Sequence, residues 1–145
     1  MQSFSQSINI LWADLDPNFH VRHSVYYDWG ASTRMLVMQQ HGLTLQMMKQ
    51  LHIGPILFRE ECVFRRELHL GDPVTIGFAI VKAKRNFSRW TIQHTIHKNP
   101  ETVAASITVE GAWMDTKERK LTSPPPTITD VFATMITTDN FEWLD

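Results

Sequence analysis

Apolar and polar residues alternate strictly along much of the second half of the chain. Over residues 74–81 a large apolar side chain falls on every second position, which is the period of a strand that buries one face. The same alternation returns over residues 90–96 and 103–113. Turn-forming residues near Asn86 and at Asn99 separate the three segments. The pattern therefore predicts three long strands joined as an antiparallel meander.

The first half of the chain contains a segment with helical spacing. Over residues 24–40 the apolar side chains can form one buried stripe, as in an amphipathic helix. Ser24 is a favourable N-cap for this helix, Asp28 suits its positive end, and Gly42 is a typical stop. Shorter elements are predicted around it: a strand at 7–11, a helix at 44–51, a turn at 54–55, a strand at 56–68 and a turn at 71–73.

Two carboxylates and two imidazoles stand together between the predicted first strand and the long helix: Asp14, Asp16, His20 and His23. Pro17 and Asn18 form turns readily, so the carboxylate of Asp16 should lie on a bend and face a ligand. The start of the helix supplies backbone N–H groups without partners inside the helix. A carboxylate, an imidazole and a helix N-terminus thus meet in one short segment, of the kind that often holds the reactive groups of an enzyme.

Composition indicates one domain and excludes several classes of protein. The chain has 145 residues, 43% of them hydrophobic, and a formal charge of -1, which gives no signal for nucleic-acid binding. Its single cysteine, Cys62, lies in an apolar run and is expected to be a structural thiol. Without a signal peptide or an apolar run of about 20 residues, the expected location is cytoplasmic, with no membrane partner. No glycine-rich phosphate loop, Gly-x-Ser-x-Gly elbow or Cys-x-x-Cys pair is present.

The segment around the two aspartates resembles a known family. Asp14, Asp16, His20, Val21, His23 and Tyr26 match the pattern of the hotdog-fold acyl-CoA thioesterases of the 4-hydroxybenzoyl-CoA thioesterase type. The Gly71-Asp72 turn is similar to that family as well. The resemblance implies an α+β protein in which an antiparallel sheet wraps around a long central helix. It implies a hotdog domain over residues 1–126, and residues 127–145 form a C-terminal extension with a short helix expected after Thr129.

The resemblance also implies roles at the candidate site. Asp16 matches the catalytic carboxylate, as nucleophile or as general base. His23 matches a position that assists catalysis in one bacterial subgroup, and its alternative is a hydrogen-bonded neighbour of the loop. We expect Asp14 to be a turn or cap residue and His20 to be structural. Tyr26 is either a core residue or part of the substrate-binding surface.

A basic cluster near Asn86 is the second candidate site. Lys84, Arg85, Ser88 and Arg89, with Lys82 beside them, crowd the turn between two predicted strands. Basic side chains and a hydroxyl suit the phosphates of coenzyme A, and the resemblance places coenzyme A binding in this strand region. The alternative is a solvated hairpin tip. The apolar side chains that either line an acyl pocket or form an ordinary core are Trp29, Met35, Met38, Met47, Met48 and Trp90.

One departure from the family keeps other functions open. The family often has Glu in the long helix where this chain has Ala31, although Arg34 is kept. The main expectation is hydrolysis of an acyl-CoA by a homodimer or homotetramer with sites at subunit interfaces, without a metal or other cofactor. The alternatives are a protein that binds acyl-CoA or acyl carrier protein without hydrolysis, and a metal-dependent enzyme using the aspartate-histidine segment.

Overall fold

A computed structural model describes residues 3–145. One long helix lies between the first two of eight strands, and two short helices complete the fold. In chain order the elements are β1 (Ser5–Ile8), a 3-10 helix (Trp12–Asp14), α1 (His23–Gln40), α2 (Leu45–Leu51), β2 (Ile53–Phe64), β3 (Val74–Gly77), β4 (Ala79–Ala83), β5 (Arg89–Asn99), β6 (Thr102–Asp115), β7 (Lys120–Thr122), α3 (Pro126–Phe132) and β8 (Thr137–Trp143).

All eight strands belong to one sheet. Strand β2 forms one edge and pairs with β6, which pairs with β5. Strands β3 and β4 follow one another along the far side of β5, and each carries an outer strand, β1 on β3 and β8 on β4. Every pairing is antiparallel except β4 with β8, which is parallel. The predicted meander is confirmed.

Helix α1 is the central element, because it packs against β2, β3 and β6, which lie in different parts of the sheet. Its buried side chains include Val25, Tyr26, Val37 and Met38. They meet the inward faces of the strands, where alternate apolar residues are fully enclosed. This architecture confirms the hotdog arrangement. No helix in the described part of the chain has the length and apolarity that a membrane span requires.

The single strand predicted over residues 74–81 is two strands with an interruption at Phe78. The predicted apolar face is confirmed, since Val74, Ile76, Phe78 and Ile80 are buried. The interruption has a specific cause, because Nδ1 of the His94 ring lies 2.8 Å from the Gly77 carbonyl oxygen. The His94 side chain of β5 thus binds the Gly77 carbonyl oxygen, which would accept a backbone hydrogen bond from a neighbouring strand if the strand were continuous.

Several predicted boundaries are wrong. The first strand is Ser5–Ile8 rather than 7–11, and β2 ends at Phe64 rather than at residue 68. Gly54 and Pro55 belong to strand β2 rather than to a turn, which a proline allows on an edge strand that pairs on one side only. Ser24 is not the N-cap of α1, because the bridge between Leu15 and Val21 keeps the chain extended and the helix begins at His23. The Ser24 hydroxyl instead accepts a hydrogen bond from Nε of Arg22 at 3.2 Å.

The C-terminal segment continues the same sheet. Helix α3 begins at Pro126, so Thr129 lies inside the helix and is not its cap. Its side chains Ile128 and Phe132 are buried. Strand β8, which the sequence did not predict, then runs beside β4.

Candidate active site

The Asp16 carboxylate is fixed by the turn that carries it. Its Oδ1 accepts hydrogen bonds from the backbone N–H of Asn18 at 2.8 Å and of His20 at 3.4 Å. The Asp16 carbonyl accepts from the N–H of Phe19 at 3.0 Å, and the Asp16 N–H donates to the His20 carbonyl at 2.9 Å. The expected bend at Pro17 and Asn18 is therefore confirmed, and it holds a partly exposed carboxylate in one orientation.

The imidazole beside Asp16 belongs to His20. Nδ1 of His20 lies 3.2 Å from Oδ2 of Asp16, and its Nε2 lies 3.8 Å from Oε1 of Glu67. Glu67 in turn has its Oε2 3.7 Å from Nε2 of His69. A row of alternating carboxylates and imidazoles thus runs from Asp16 towards solvent. The sequence indicated a purely structural role for His20 and did not indicate this contact.

His23 occupies the first position of α1, and its side chain is exposed. The backbone N–H groups of His23 and Ser24 form no hydrogen bond with any residue from 3 to 145. Asp14 has the expected local role, because its Oδ2 accepts a hydrogen bond from the N–H of Leu11 at 2.9 Å. The Asp16 turn and α1 are consecutive along the chain, so two unpaired backbone donors follow directly after the segment that holds the carboxylate.

Tyr26 lies near both Asp16 and Cys62. The Tyr26 ring is 3% exposed and packs edge-to-face on Phe64. Burial, and then the negative groups of Cys62, Asp16 and Glu67, raise the pKa of Tyr26 to about 12. Burial and the Glu60 carboxylate likewise raise the pKa of the Cys62 thiol to about 11. At neutral pH both groups are protonated, so Cys62 is not an activated nucleophile.

The basic cluster forms the tip of the hairpin between β4 and β5. Lys84, Arg85 and Arg89 are exposed. Lys84, Ser88 and Arg89 line a shallow groove whose opposite side is formed by residues 121–123. The Arg89 guanidinium lies 4.5 Å from the centre of the Phe58 ring, and that of Arg85 lies 5.1 Å from the ring of Trp143. Aromatic stacking thus holds both guanidinium groups, and of these two arginines it is Arg89 that lines the groove.

The two candidate groups lie at opposite ends of the sheet within one chain. Lys98, near the end of β5, donates to the Glu67 carbonyl at 2.8 Å, so this end carries the Asp16 row. Arg89, at the start of β5, carries the hairpin. The two positions are nine steps apart along the strand, about 30 Å at roughly 3.3 Å per step. One chain alone does not bring Asp16 and the hairpin together.

A cavity of about 240 Å³ lies between the second half of α1 and the sheet. We call it the Arg34 cavity, because Arg34 is the one charged residue among its described lining residues. The others are Ala31, Met35, Met38, Pro55, Leu57, Phe78, Trp90, Ile92 and Phe132. Of the apolar residues proposed from the sequence, Met35, Met38 and Trp90 line it. Trp29, Met47 and Met48 are instead part of the core or packed against it.

The family is established by comparison with known proteins. The model of the thioesterase-like superfamily matches residues 10–132 of the chain. The chain belongs to this superfamily. The match includes the Asp16 turn, α1 and the basic hairpin, and it confirms the resemblance that the aspartate-histidine segment indicated. It supports the predicted enzyme class, a thioester hydrolase.

Solved structures share the fold at low sequence identity. A hypothetical protein from Staphylococcus aureus in complex with coenzyme A has a TM-score of 0.87 and 20% identity, over 97% of this chain and 90% of that one. A 1,4-dihydroxy-2-naphthoyl-CoA thioesterase from Synechocystis has a TM-score of 0.80 and 16% identity, over 92% and 97%. A thioesterase from Thermus thermophilus complexed with coenzyme A and zinc has a TM-score of 0.70 and 24% identity, over 88% and 89%. No curated protein matches the chain.

One buried polar cluster of this thioesterase-like chain was not predicted from its sequence. Nη1 of Arg34 in α1 lies 3.1 Å from Nε2 of His94 in β5, and His94 is fully buried. Nη2 of Arg34 lies 3.7 Å from Oε2 of Glu60. Gly30 makes room for this contact, because a Cβ there would lie 3.3 Å from Nη1 of Arg34 and 3.4 Å from Cδ2 of His94. The one sequence signal for this cluster was the position of His94, which lies on the inward face of a strand with alternating apolar residues.

The described residues contain no group of three or more His, Cys, Asp or Glu side chains arranged to hold a metal ion. The row from Asp16 to His69 therefore has ion-pair geometry rather than a ligand set. In chemical terms the Asp16 end offers a fixed carboxylate, an imidazole and backbone donors. The hairpin end offers cations for an anionic ligand, and the Arg34 cavity offers an apolar space with a single charged group.

Proposed function

We propose that the protein is an acyl-CoA thioesterase that hydrolyses a thioester to a free acid and coenzyme A. The observation that carries the proposal is the Asp16 carboxylate, held by the N–H groups of Asn18 and His20 just before the unpaired N–H groups of His23 and Ser24. A thioester carbonyl needs a carboxylate to attack it or to activate water, and donors to hold the oxyanion that forms. Family membership supports this class of reaction.

The reaction proceeds at the Asp16 carboxylate by one of two routes. As a general base, Asp16 takes a proton from water while the water oxygen attacks the carbonyl carbon. As a nucleophile, it forms a mixed anhydride that water then hydrolyses. In both routes the carbon–sulfur bond breaks and the coenzyme A thiolate takes up a proton. The His23 and Ser24 N–H groups are the proposed donors to the oxyanion.

Two histidines have proposed roles of different kinds. His20 orients Asp16, because its Nδ1 lies 3.2 Å from Oδ2. His23 is exposed at the start of α1 and is proposed to assist at the substrate. Tyr26 lies near the carboxylate and supports the binding surface.

The hairpin of Lys84, Arg85, Ser88 and Arg89 is proposed to bind the phosphates of coenzyme A. The groove lined by Lys84, Ser88 and Arg89 supports this role, and the stacked guanidinium groups are held in place before the ligand binds. Arginine and lysine with a hydroxyl form charge-assisted hydrogen bonds to phosphate. Residues 84–89 of the hairpin include no acidic side chain, and the carboxylates beside it are Asp145, which accepts from the Arg85 N–H at 2.9 Å, and Glu142, which pairs with Lys82 at 3.1 Å.

We propose that a homodimer assembles through the free edge of β2. This strand pairs only with β6, and it exposes the apolar side chains Leu57, Phe58, Val63 and Phe64 by 42–49%. A long apolar strand edge needs a covering partner. The simplest two-fold contact is antiparallel pairing of β2 with the β2 strand of a second copy.

Such a dimer unites the two candidate groups. The Asp16 row lies near the Phe64 end of β2, since Glu67 of that row follows Phe64 by three positions along the chain. The hairpin lies near the other end, where Arg89 stacks on Phe58. Arg89 also pairs with Ala112 of β6, and Ala112 pairs with Ile56 of β2, so the three residues lie side by side across the sheet. Antiparallel pairing reverses one strand relative to the other. The hairpin of one subunit therefore comes beside Asp16 of its partner.

Binding without hydrolysis is the second candidate function. It is favoured by Ala31, which leaves the α1 wall of the Arg34 cavity without a carboxylate. The substrate would then be an acyl-CoA or an acyl carrier protein that is held and released intact.

Release of thiol from a panel of short, long and aromatic acyl-CoA thioesters tests hydrolysis directly. Asp16→Asn should lower kcat by about 100- to 10,000-fold, since a positioned acid or base contributes that range. Asp14→Asn is the matched control, because Asp14 lies on the same segment and caps the Leu11 N–H. Full activity in Asp16→Asn would overturn the assignment of the carboxylate. Thermal stabilisation by every thioester without any release would support the binding protein.

A further inference from the structure

The Arg34 cavity has the size of a small acyl group. Its volume is about 240 Å³, whereas an engineered apolar cavity of about 150 Å³ holds benzene. A chain of about six carbons therefore fits. The opening lies at β2, because Pro55 and Leu57 line the cavity and are also exposed. In the proposed dimer this opening faces the partner subunit, whose Asp16 lies on that side.

The guanidinium of Arg34 in the cavity wall has more hydrogen-bond donors than the neighbouring described residues bind. A guanidinium can only donate, so Nε2 of His94 accepts from Nη1 of Arg34 and Nδ1 of His94 donates to the Gly77 carbonyl. His94 is therefore neutral and does not balance the charge of Arg34. The Glu60 carboxylate, whose Oε2 lies 3.7 Å from Nη2, balances the charge as an ion pair but is beyond hydrogen-bond distance. Nε and Nη2 of Arg34 form no hydrogen bond with any described residue.

Trp90 in the same wall also has an unpaired donor, but that atom is enclosed by protein and is not open to the cavity. Trp90 lines the cavity and is 4% exposed. Its indole Nε1 is buried and has no hydrogen-bond partner among residues 3–145. The donors open to a ligand are therefore Nε and Nη2 of Arg34, and an acceptor atom of the ligand can bind them. An acyl group with an oxygen atom is therefore favoured over a pure hydrocarbon of the same length.

We propose that the Arg34 cavity selects acyl groups that carry a hydrogen-bond acceptor oxygen, and that Arg34 is the residue that determines this specificity. The inference rests on the proposed thioesterase function and names its substrate class. Ala31 contributes to this specificity because its side chain has no carboxylate. It precedes Arg34 by three residues on the same helix face, where a carboxylate would satisfy the guanidinium internally.

Three coenzyme A thioesters of six-carbon acids test the proposal. Hexanoyl-CoA has no distal oxygen, 5-oxohexanoyl-CoA has a neutral acceptor, and adipoyl-CoA has a charged one. We expect the wild type to prefer at least one oxygenated chain over hexanoyl by about 10- to 100-fold in kcat/KM, the range for hydrogen bonds to a charged group. A preference for adipoyl alone identifies a carboxylate, and a preference for both shows that a neutral oxygen suffices.

Two substitutions connect the preference to the guanidinium. Arg34→Met keeps the volume and removes the charge, so the preference should fall to about twofold or less. Ala31→Glu leaves Arg34 in place and supplies an internal carboxylate, so it should reduce the preference in the same way if Arg34→Met does not fold. Ala31→Gln is the size-matched control and should retain more of the preference than Ala31→Glu.

The outcomes separate this inference from the proposed function. Equal use of all three thioesters, or a preference that survives in both Arg34→Met and Ala31→Glu, would overturn it while hydrolysis itself stands. If no thioester is hydrolysed, the proposed function fails. The dissociation constants of the same three compounds, measured by calorimetry on wild type and Ala31→Glu, then show the preference or refute it.

Discussion

Oδ2 of Asp16 and Nδ1 of His20 lie 3.2 Å apart, across a turn whose backbone N–H groups hold the other carboxylate oxygen. Only two residues separate His20 from His23, yet the two imidazoles have different surroundings. His20 is partly buried between Asp16 and Glu67, and His23 is exposed. The structure thus places the histidine that contacts the carboxylate at a position that the sequence indicated to be structural.

Substitution of the two histidines should separate their roles. His20→Ala removes the contact that orients Asp16, and a misplaced catalytic group costs up to about 100-fold, so we expect kcat to fall by about 10- to 100-fold. His23→Ala should have a smaller effect on kcat, because no contact holds its ring against Asp16. Steady-state kinetics over pH 5–9 provides the measurement. If His23→Ala lowers kcat more than His20→Ala does, the proposed orientation by His20 is wrong.

The buried His94 should make stability depend on pH. Burial first, and then the Arg34 charge, outweigh the Gly77 hydrogen bond and lower the pKa of His94 to about 4. The unfolded chain binds a proton at this residue near pH 6.5, whereas the folded chain does not, so the protein loses stability as pH falls from about 6.5 to 4. The loss attributable to His94 is about 3 kcal/mol.

Urea unfolding of wild type and His94→Gln at pH 7, 5 and 4 measures this contribution. The amide of glutamine does not titrate, so the pH dependence of the variant should be smaller by about 3 kcal/mol over the interval. Other histidines and carboxylates titrate equally in both proteins and cancel in the difference. Parallel curves for the two proteins would show that His94 is protonated alike in the folded and unfolded states.

Cys62 should react slowly in the folded protein. The pKa of its thiol is raised to about 11, from an ordinary value of 9.0, by burial and by Glu60. The thiolate fraction at pH 8 is therefore lower by about 100-fold than in the unfolded chain. Labelling with an aromatic disulfide should be at least that much slower in buffer than in denaturant. Comparable rates in the two conditions would refute the raised pKa.

A charge on the free edge of β2 should prevent the dimer. Val63 is 42% exposed on that strand, and lysine at a strand edge opposes pairing with another strand. We expect Val63→Lys to sediment as a monomer and to lose most activity, because each site would lack its partner's hairpin. Asn140→Lys, at an exposed position of the opposite edge strand β8, is the control and should remain dimeric. A dimeric Val63→Lys protein would place the interface elsewhere.

The sequence predicted the elements whose signals are local. The alternation of residues 90–96 and 103–113 and the helical spacing of 24–40 depend only on near neighbours, and the turn at Pro17 and Asn18 depends on their own conformational preferences. The boundary at Gly54 and Pro55 was missed because it depends on pairing with β6, which is distant in the chain.

The parts of the site that depend on distant contacts were not predictable. Arg34 and His94 are sixty residues apart, and their contact requires the register of β5 against α1. The separation of Asp16 from the hairpin likewise depends on strand register. The one local indication was that His94 lies between Ile92 and Ile96 on an inward face of the strand. Burial at such a position favours an uncharged imidazole whose nitrogen atoms are hydrogen-bonded.

A mixed dimer tests most directly whether Asp16 and the hairpin form one thioesterase site across the two subunits. One subunit carries Asp16→Asn, the other carries Lys84→Glu with Arg85→Glu, and two different affinity tags allow the mixed dimer to be isolated. Each parent homodimer should be nearly inactive. The mixed dimer contains one intact site of two, so it should recover about half of the wild-type rate of thiol release at low substrate concentration. A mixed dimer as inactive as its parents would contradict the shared site.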